Sequence, residues 1–293
     1  MNRAGIARAL AVVSAVALLT SCSTMKFAYN RADWIVSWEF DKYADLHGAA
    51  EEAFDSGFAA LWHWHRATQL TAYANDLREI AEASRSTLTR GQVDDYLKRA
   101  NAHGRRLLEE ALPPLAHVLQ ALDDAQVEHL LDRMARDRRQ AAEEEAARTP
   151  DEHRARRERE GIRSLKRWLG SVDDAQAALV HDWAQRRRVD AALDQRHGEQ
   201  WAEAFRRTLA ARSDASLEGR LRILLLAPQL PDSQAAREEN DHNRATFAEL
   251  IARLSPTLNE TQRRHSRGKL IDLAEDFEEL AGDARQTPPG ASP

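Results

Sequence analysis

The residue with the most specific chemistry is Cys22, the only cysteine in the chain. It ends the segment Leu19-Thr20-Ser21-Cys22, in which an aliphatic residue and two small residues precede the thiol. Small residues let a peptidase close around the backbone, and the thiol is the group that accepts a diacylglycerol. This spacing, that of a lipobox, predicts cleavage before Cys22 and attachment of lipid to its sulfur.

The residues before this motif are typical of an export signal. Arg3 and Arg8 give the segment a positive start, and the stretch 9–19 that follows is almost wholly apolar. An apolar stretch of this length is too short to cross a bilayer, which takes about 20 residues. We therefore expect residues 1–21 to be a lipoprotein signal peptide.

The mature chain then begins with a predicted lipidated tether over residues 22–30. A single cysteine forms no internal disulfide in an oxidising compartment, and acylation removes an otherwise exposed thiol. Serine rather than aspartate follows the cysteine at Ser23, which favours the outer membrane over the inner. The expected location is the cell envelope, with the chain held by lipid at the outer membrane and facing the periplasm.

Two histidines at His63 and His65 suggest a metal site, but their spacing argues against it. Residues two apart on a helix point about 200° apart, so both imidazoles cannot bind one ion. We expect His65 on the apolar helix face and His63 on the opposite face.

A second candidate is the Glu-x-x-His pattern of Glu239 and His242, the spacing found in di-iron helical bundles. Such a site needs a second copy, and the nearest one, Asp194 to His197, begins with the wrong acid. The sequence therefore predicts no metal and no other cofactor.

Other catalytic patterns are absent from the sequence. It contains no Gly-x-Ser-x-Gly elbow and no phosphate-binding glycine loop. The formal net charge of −5 argues against a nucleic-acid partner. We expect a non-catalytic protein that binds another envelope protein, as a scaffold or in a chaperone-like manner. The alternative left open is an envelope enzyme acting on the cell wall or on lipid, with a site built from dispersed residues.

The elements that must position these residues are predicted to be helices throughout. Strong helix formers dominate the chain, and no alternating run of β-branched and aromatic residues indicates a strand. We expect an all-α, elongated array of long antiparallel helices over residues 31–282, followed by a disordered tail over 283–293. The predicted helices span roughly 49–83, 89–111, 115–120, 123–148, 150–169, 173–197, 199–211, 216–227, 232–254 and 259–281, with breaks at Pro113-Pro114 and at 227–231.

One helix-start pattern occurs four times: an aliphatic residue, a capping residue, two spacers and a glutamine. In a capping box the capping side chain accepts from the backbone of the third helical residue, whose side chain reaches back to the cap. Each cap contributes about 1 kcal/mol. Glutamate completes the same box, so glutamine-to-glutamate changes are expected to be nearly neutral unless the glutamines line a binding surface. The pairs are Thr89/Gln92, Asp123/Gln126, Asp173/Gln176 and Asn259/Gln262.

The region of about 133–167 is densely charged with both signs. Its composition predicts a solvated pair of helices with ion pairs between residues four apart. A projecting arm that meets a partner is the functional alternative.

Two signatures near the ends of the mature chain resemble an uncharacterised proteobacterial lipoprotein family, a domain of unknown function. The first reads Tyr29-Asn30-Arg31-Ala32-Asp33-Trp34 and, further on, Asp41-Lys42-Tyr43-Ala44-Asp45-Leu46. The second includes Asn243-Arg244 and Leu258-Asn259-Glu260-Thr261-Gln262-Arg263. The resemblance implies lipidation and an all-helical body, and it implies no reaction.

The start Leu88-Thr89-Arg90-Gly91-Gln92 is similar to the Leu-Thr-x-x-Gln motif of the periplasmic Spy/CpxP chaperone and stress-sensor family. Proteins of that family are helical hairpins that form a cradle. Only this copy of the four keeps the threonine, so the resemblance implies an architectural analogy alone.

Overall fold

The computed structural model describes Tyr29 and residues 32–286. Over these residues the prediction of an elongated all-α array is confirmed, and no strand occurs among them. The last helix continues to Gln286, beyond Asp283, and residues 287–293 of the predicted tail lie outside the described chain. The helices are α1 (Ala32–Ala44), α2 (Ala49–Trp64), α3 (Leu70–Ala83), α4 (Arg90–Ala121), α5 (Asp124–Ala146), α6 (Pro150–Leu169), α7 (Asp174–Arg186), α8 (Ala191–Ala210), α9 (Leu217–Leu226), α10 (Ser233–Leu254) and α11 (Glu260–Gln286).

Helix α4 packs against α2, α9 and α10, and it supplies one wall of the largest apolar cluster. Its buried side chains meet others from α5, α8 and α9. Separate contacts join α3 to α11, α6 to α7 and α11, and α7 to α10. Members of the largest cluster are Leu112, Leu119, Leu130, Met134, Trp201, Phe205, Leu209, Leu217, Leu221 and Leu224.

The break predicted at Pro113-Pro114 is wrong, because α4 runs through both prolines. A proline inside a helix costs about 3 kcal/mol or more, since it lacks a donor and crowds the preceding turn. Burial of Leu112 and Leu119 on the same helix offsets part of that cost. A Cβ placed on Gly57 of α2 would lie only 2.7 Å from the Cβ of Pro114, so the missing side chain lets the proline ring pack closely.

Helices α2 and α3 form the continuous segment predicted over 49–83, but a π-helical turn at His65–Gln69 joins them. Such a turn inserts one extra residue into the helix and rotates the face that follows it. Before the turn, Ala50, Ala53 and Phe54 are buried. After it, Leu70, Ala74 and Ala81 are buried.

The helix predicted over 173–197 is divided by a loop between Arg186 and Ala191. Polar side chains of α10 hold this loop in place. The amide and carbonyl of Arg188 both bond to the Asn243 side chain, at 2.9 and 2.8 Å. Asp190 then caps α8 by accepting from the Leu193 amide at 2.9 Å. The contacts of Arg188 with Asn243 join residues 55 positions apart, which local spacing does not reveal.

The charged region over 133–167 divides between α5 and α6, and both helices pack on the rest of the protein. Helix α5 contacts α1 and α8, while α6 contacts α7 and α11. Side chains over 139–152, where the two helices meet, are mostly exposed. Arg156 and Glu160 form one of the expected pairs at 2.8 Å. Within residues 32–286, no helix is both long and apolar enough to cross a bilayer.

Candidate functional site

The predicted signal peptide and the lipidation residue Cys22 lie outside the described residues. The predicted tether enters the described structure at Tyr29, which is buried. Its ring stacks on Trp62 with centroids 4.5 Å apart, and its hydroxyl lies 2.7 Å from His65 Nδ1. Burial lowers the pKa of His65 to about 4, so at neutral pH the imidazole is uncharged and its Nδ1 can accept a hydrogen bond from the Tyr29 hydroxyl.

The two histidines of the first candidate metal site do not converge. His65 is buried at the π-helical turn, while His63 is half-buried. Among the described residues, no group of three or more histidine, cysteine or acidic side chains is placed to hold a metal ion.

The Glu-x-x-His pair on α10 serves the loop before α8 instead of a metal. His242 Nε2 lies 3.0 Å from the carbonyl oxygen of Arg186. Glu239 accepts from the amide of Asp190 at 3.1 Å, and burial raises the pKa of its carboxyl. His197, the end of the weaker second pattern, lies 3.3 Å from the Ser233 hydroxyl. The two patterns are therefore structural contacts within this fold.

A histidine–aspartate pair that sequence reasoning missed joins α3 to α4. His103 Nε2 lies 2.8 Å from Asp76 Oδ2, and Arg99 binds the other oxygen of that carboxylate at 2.7 Å. An aspartate orients a histidine in this way in hydrolytic triads, where a hydroxyl or thiol completes the set. Within residues 32–286, no hydrogen bond joins His103 to a serine or threonine.

All four predicted capping pairs form both hydrogen bonds of a capping box. In each, the backbone amide of the glutamine bonds to the side chain of the capping residue, and the glutamine Oε1 accepts from the backbone amide of that residue. Gln92 is exposed, and its Oε1 accepts in addition only from the hydroxyl of its own capping residue, Thr89, at 2.9 Å among the described residues. The other three glutamines are buried, and each uses its Nε2 to reach another part of the chain.

Gln176 and Gln262 form a reciprocal amide pair that joins the starts of α7 and α11. Each Nε2 donates to the Oε1 of the other, at 3.0 and 2.9 Å. Gln262 also donates to the Ser171 carbonyl at 3.1 Å. Gln126 donates to the Asp45 carbonyl at 2.9 Å. Near-neutral replacement by glutamate is thus expected at Gln92 alone, and not at all four positions as the spacing suggests.

A half-open cavity of about 620 Å³ lies between α3, α6, α7, α10 and α11. Cavities of roughly 300–1,000 Å³ are typical of small-molecule sites. The wall is almost entirely apolar. Its main side chains are Leu165, Trp168, Val180, Trp183, Phe247, Leu250, Ile251, Leu254 and Leu270.

Two donors that belong to residues lining the cavity have no acceptor among the described residues. They are Nε of Arg157 and Nε1 of Trp183, and both atoms are buried. Burial, together with the neighbouring charges of Arg187 and Arg154, lowers the pKa of Arg157. The acid that lines this cavity, Glu160, already pairs with Arg156 at 2.8 Å. The cavity is therefore an apolar space with two arginines, Arg157 and Arg187, at its rim.

Sequence reasoning missed this cavity because its wall combines five helices that are distant in the chain. One local signal was available in Gly161, within the charged α6. A Cβ there would lie 2.7 Å from Val180 Cγ1 and 3.3 Å from Trp183 Cζ3. A glycine at such a point indicates a close helix contact, which here brings the Trp183 indole near the helix that carries Arg157.

Comparisons with known proteins place the central part of the chain in one family. The chain matches no curated protein and no solved structure. The family model for DUF6279, a family of unknown function, matches residues 42–236. Of the two terminal signatures, the second, within residues 243–263, lies outside that range, and the first, within residues 29–46, overlaps it over residues 42–46. Because the match covers more than half of the chain, this protein belongs to the DUF6279 family.

Proposed function

We propose that this protein is a lipid-anchored, non-catalytic binding protein of the bacterial cell envelope. The observation that carries the proposal is the cavity of about 620 Å³, whose wall is apolar and whose buried donors Arg157 Nε and Trp183 Nε1 lack acceptors. A hydrolytic site needs converging titratable groups, usually two carboxylates or a nucleophile beside a base. The cavity wall contains a single acid, Glu160, already paired outside it.

The lipobox and the buried Tyr29 together support a position close to the membrane. Tyr29 lies seven positions after Cys22, and a fully extended chain covers about 3.3–3.6 Å per residue. A lipid on Cys22 would therefore keep the cluster of Tyr29, Trp62 and Leu280 within roughly 25 Å of the acyl chains. The proposed cellular location is the periplasmic face of the outer membrane, which is favoured by Ser23 after the cysteine.

The anchor is tested by replacing Cys22 with alanine. We expect a palmitate analogue to label the wild type and not Cys22→Ala, because the thiol is the acyl acceptor. The variant should be found as an uncleaved precursor or as a soluble product, since it carries no acyl anchor. Ser21→Ala, which keeps a small residue before the cysteine, serves as a control and should be labelled normally. Labelling of Cys22→Ala would disprove the lipobox assignment.

The binding role is tested with a photocrosslinking amino acid in intact cells. Phe247 lines the cavity and is 37% exposed, while Ile223 on α9 is 51% exposed and lies elsewhere. We expect a defined adduct, with lipid or with an envelope protein, at position 247 and none at 223. If the adduct at position 247 contains an envelope protein, it also identifies the expected protein partner. No adduct at 247, or the same adducts at both positions, would contradict a binding role for the cavity.

A further inference from the structure

We propose that the cavity binds one long-chain fatty acid, with its chain among the apolar side chains and its carboxylate at Arg157 and Trp183. This inference rests on the proposed binding function and names the ligand class. Three features of the cavity carry it: its volume, the character of its wall, and the position of donors without acceptors.

The volume suits a single acyl chain. In another protein, an apolar cavity of about 150 Å³ holds one benzene molecule, or about 25 Å³ per carbon. On that scale a cavity of about 620 Å³ holds on the order of 25 carbon atoms. A fatty acid of 16 to 18 carbons fits this space, whereas a phospholipid with two chains and a head group exceeds it.

The wall is apolar on several sides, as an acyl chain requires. Leu165 comes from α6, Val180 from α7, and Leu250 with Leu254 from α10. Burial of each methylene group in such a wall strengthens binding about fourfold. A free acyl chain gains this binding energy with little desolvation of polar groups. A helix from a partner protein would also have to desolvate its backbone and flanking polar groups, which is unfavourable.

The donors define the anionic end of the ligand. A buried N–H without an acceptor is unfavourable, and such groups in folded proteins are usually satisfied. Arg157 Nε and Trp183 Nε1 are both in this state, and the side chain of Arg187 lies 5.9 Å from the Trp183 ring. A carboxylate supplies two acceptor oxygens and a negative charge that can pair with the guanidinium groups of Arg157 and Arg187, which both line the cavity.

The test measures binding of radiolabelled palmitate to the full chain in phosphatidylcholine nanodiscs, with empty nanodiscs as the blank. We expect saturable binding of one palmitate per chain. Ser164→Phe, which fills the cavity from its half-buried wall, should abolish it. Arg157→Gln should weaken it at least tenfold, because a charged hydrogen bond is lost. Arg159→Gln removes an equal charge from an exposed position of the same helix and should leave binding unchanged.

Two further ligands separate the chain from the carboxylate. Myristate, shorter by two methylene groups, should bind about fifteenfold more weakly than palmitate. Methyl palmitate keeps the chain but carries no charge, so it should bind more weakly than palmitate and respond little to Arg157→Gln.

Each contrary result has a distinct meaning. Equal binding of palmitate to the wild type and to Ser164→Phe overturns the proposed site. No saturable palmitate binding, combined with a protein or phospholipid adduct at position 247, overturns the fatty-acid ligand while the binding function stands. No palmitate binding and no adduct at 247 overturn both. Equal affinities of palmitate and methyl palmitate overturn the role of Arg157.

Discussion

Replacement of Gln262 by glutamate is expected to lower the free energy of unfolding by about 3–5 kcal/mol, the range for an uncompensated buried charge. The same replacement at Gln92 is expected to change it by less than about 0.5 kcal/mol. The two positions have the same capping box, so the difference isolates what the Gln262 side chain does beyond the box.

The reason lies in the second polar atom of the side chain. Oε1 of Gln262 accepts from the Asn259 amide at 3.0 Å, and a glutamate oxygen keeps that bond. Nε2 donates to the Ser171 carbonyl and to Gln176 Oε1, at 3.1 and 2.9 Å. A second carboxylate oxygen at this place would face two acceptors in a position that is 2% exposed. Gln92 is exposed to solvent, so a glutamate at this position would not place a carboxylate oxygen against buried acceptors.

Urea unfolding of Gln262→Glu, Gln92→Glu and the wild type at neutral pH measures the difference. The loss at Gln262 should shrink as the pH falls toward the ordinary glutamate pKa of about 4.3. Burial raises the pKa of the introduced carboxyl in the folded state, so the folded state takes up the proton first and gains stability in acid. Equal stability of the two variants at neutral pH would show that the amide pair contributes nothing beyond capping.

The capping boxes illustrate how far the sequence determines this structure. A box depends on residues three apart, so the type and spacing of Asp173 and Gln176 suffice to predict it. The amide pair between Gln176 and Gln262 depends on two helix starts that are 86 residues apart meeting in space. No local pattern predicts that these two helix starts lie side by side. From the sequence alone, the Nε2 donors of both glutamines could equally have faced solvent.

The errors in the predicted helices have the same origin. Proline is a reliable local signal for a break, yet the contact of Pro114 with Gly57 and the burial around it keep α4 continuous. The loop after Arg186 has no proline or glycine to mark it, and it is held by Asn243 from α10. In both cases tertiary packing overrides local propensity.

The cavity was beyond sequence reasoning for a further reason. Its wall residues, such as Val180 and Leu254, have the ordinary apolar spacing of helix cores, which does not distinguish a filled core from a space left between helices. The orphan donors of Arg157 and Trp183 become visible only when the surrounding side chains are placed. The lipobox at Cys22 is the opposite case, because all of its information is local.

The second large effect is expected in acid, where His65 should cost the protein about 3 kcal/mol of unfolding free energy as the pH falls from about 6.5 to about 4. The unfolded histidine has a pKa near 6.5, and burial lowers the folded value to about 4. Between these values the unfolded state binds a proton that the folded state does not, so the stability present above pH 6.5 is lost as the pH falls. Each unit of pKa difference corresponds to about 1.4 kcal/mol.

Two variants separate the burial of His65 from its hydrogen bond to Tyr29. His65→Gln keeps an acceptor for the Tyr29 hydroxyl but does not titrate, so the acid loss between pH 6.5 and 4 should be about 3 kcal/mol smaller than in the wild type. Tyr29→Phe removes the hydrogen bond at 2.7 Å and leaves the imidazole buried, so it should lower stability by about 1 kcal/mol at every pH and keep the acid loss. Both are measured by urea unfolding across this pH range, and the surface carboxylates contribute equally to all three proteins. The same acid loss in His65→Gln as in the wild type would show that His65 is not held neutral. The contact between His65 and Tyr29 would then have no part in the pH dependence of stability.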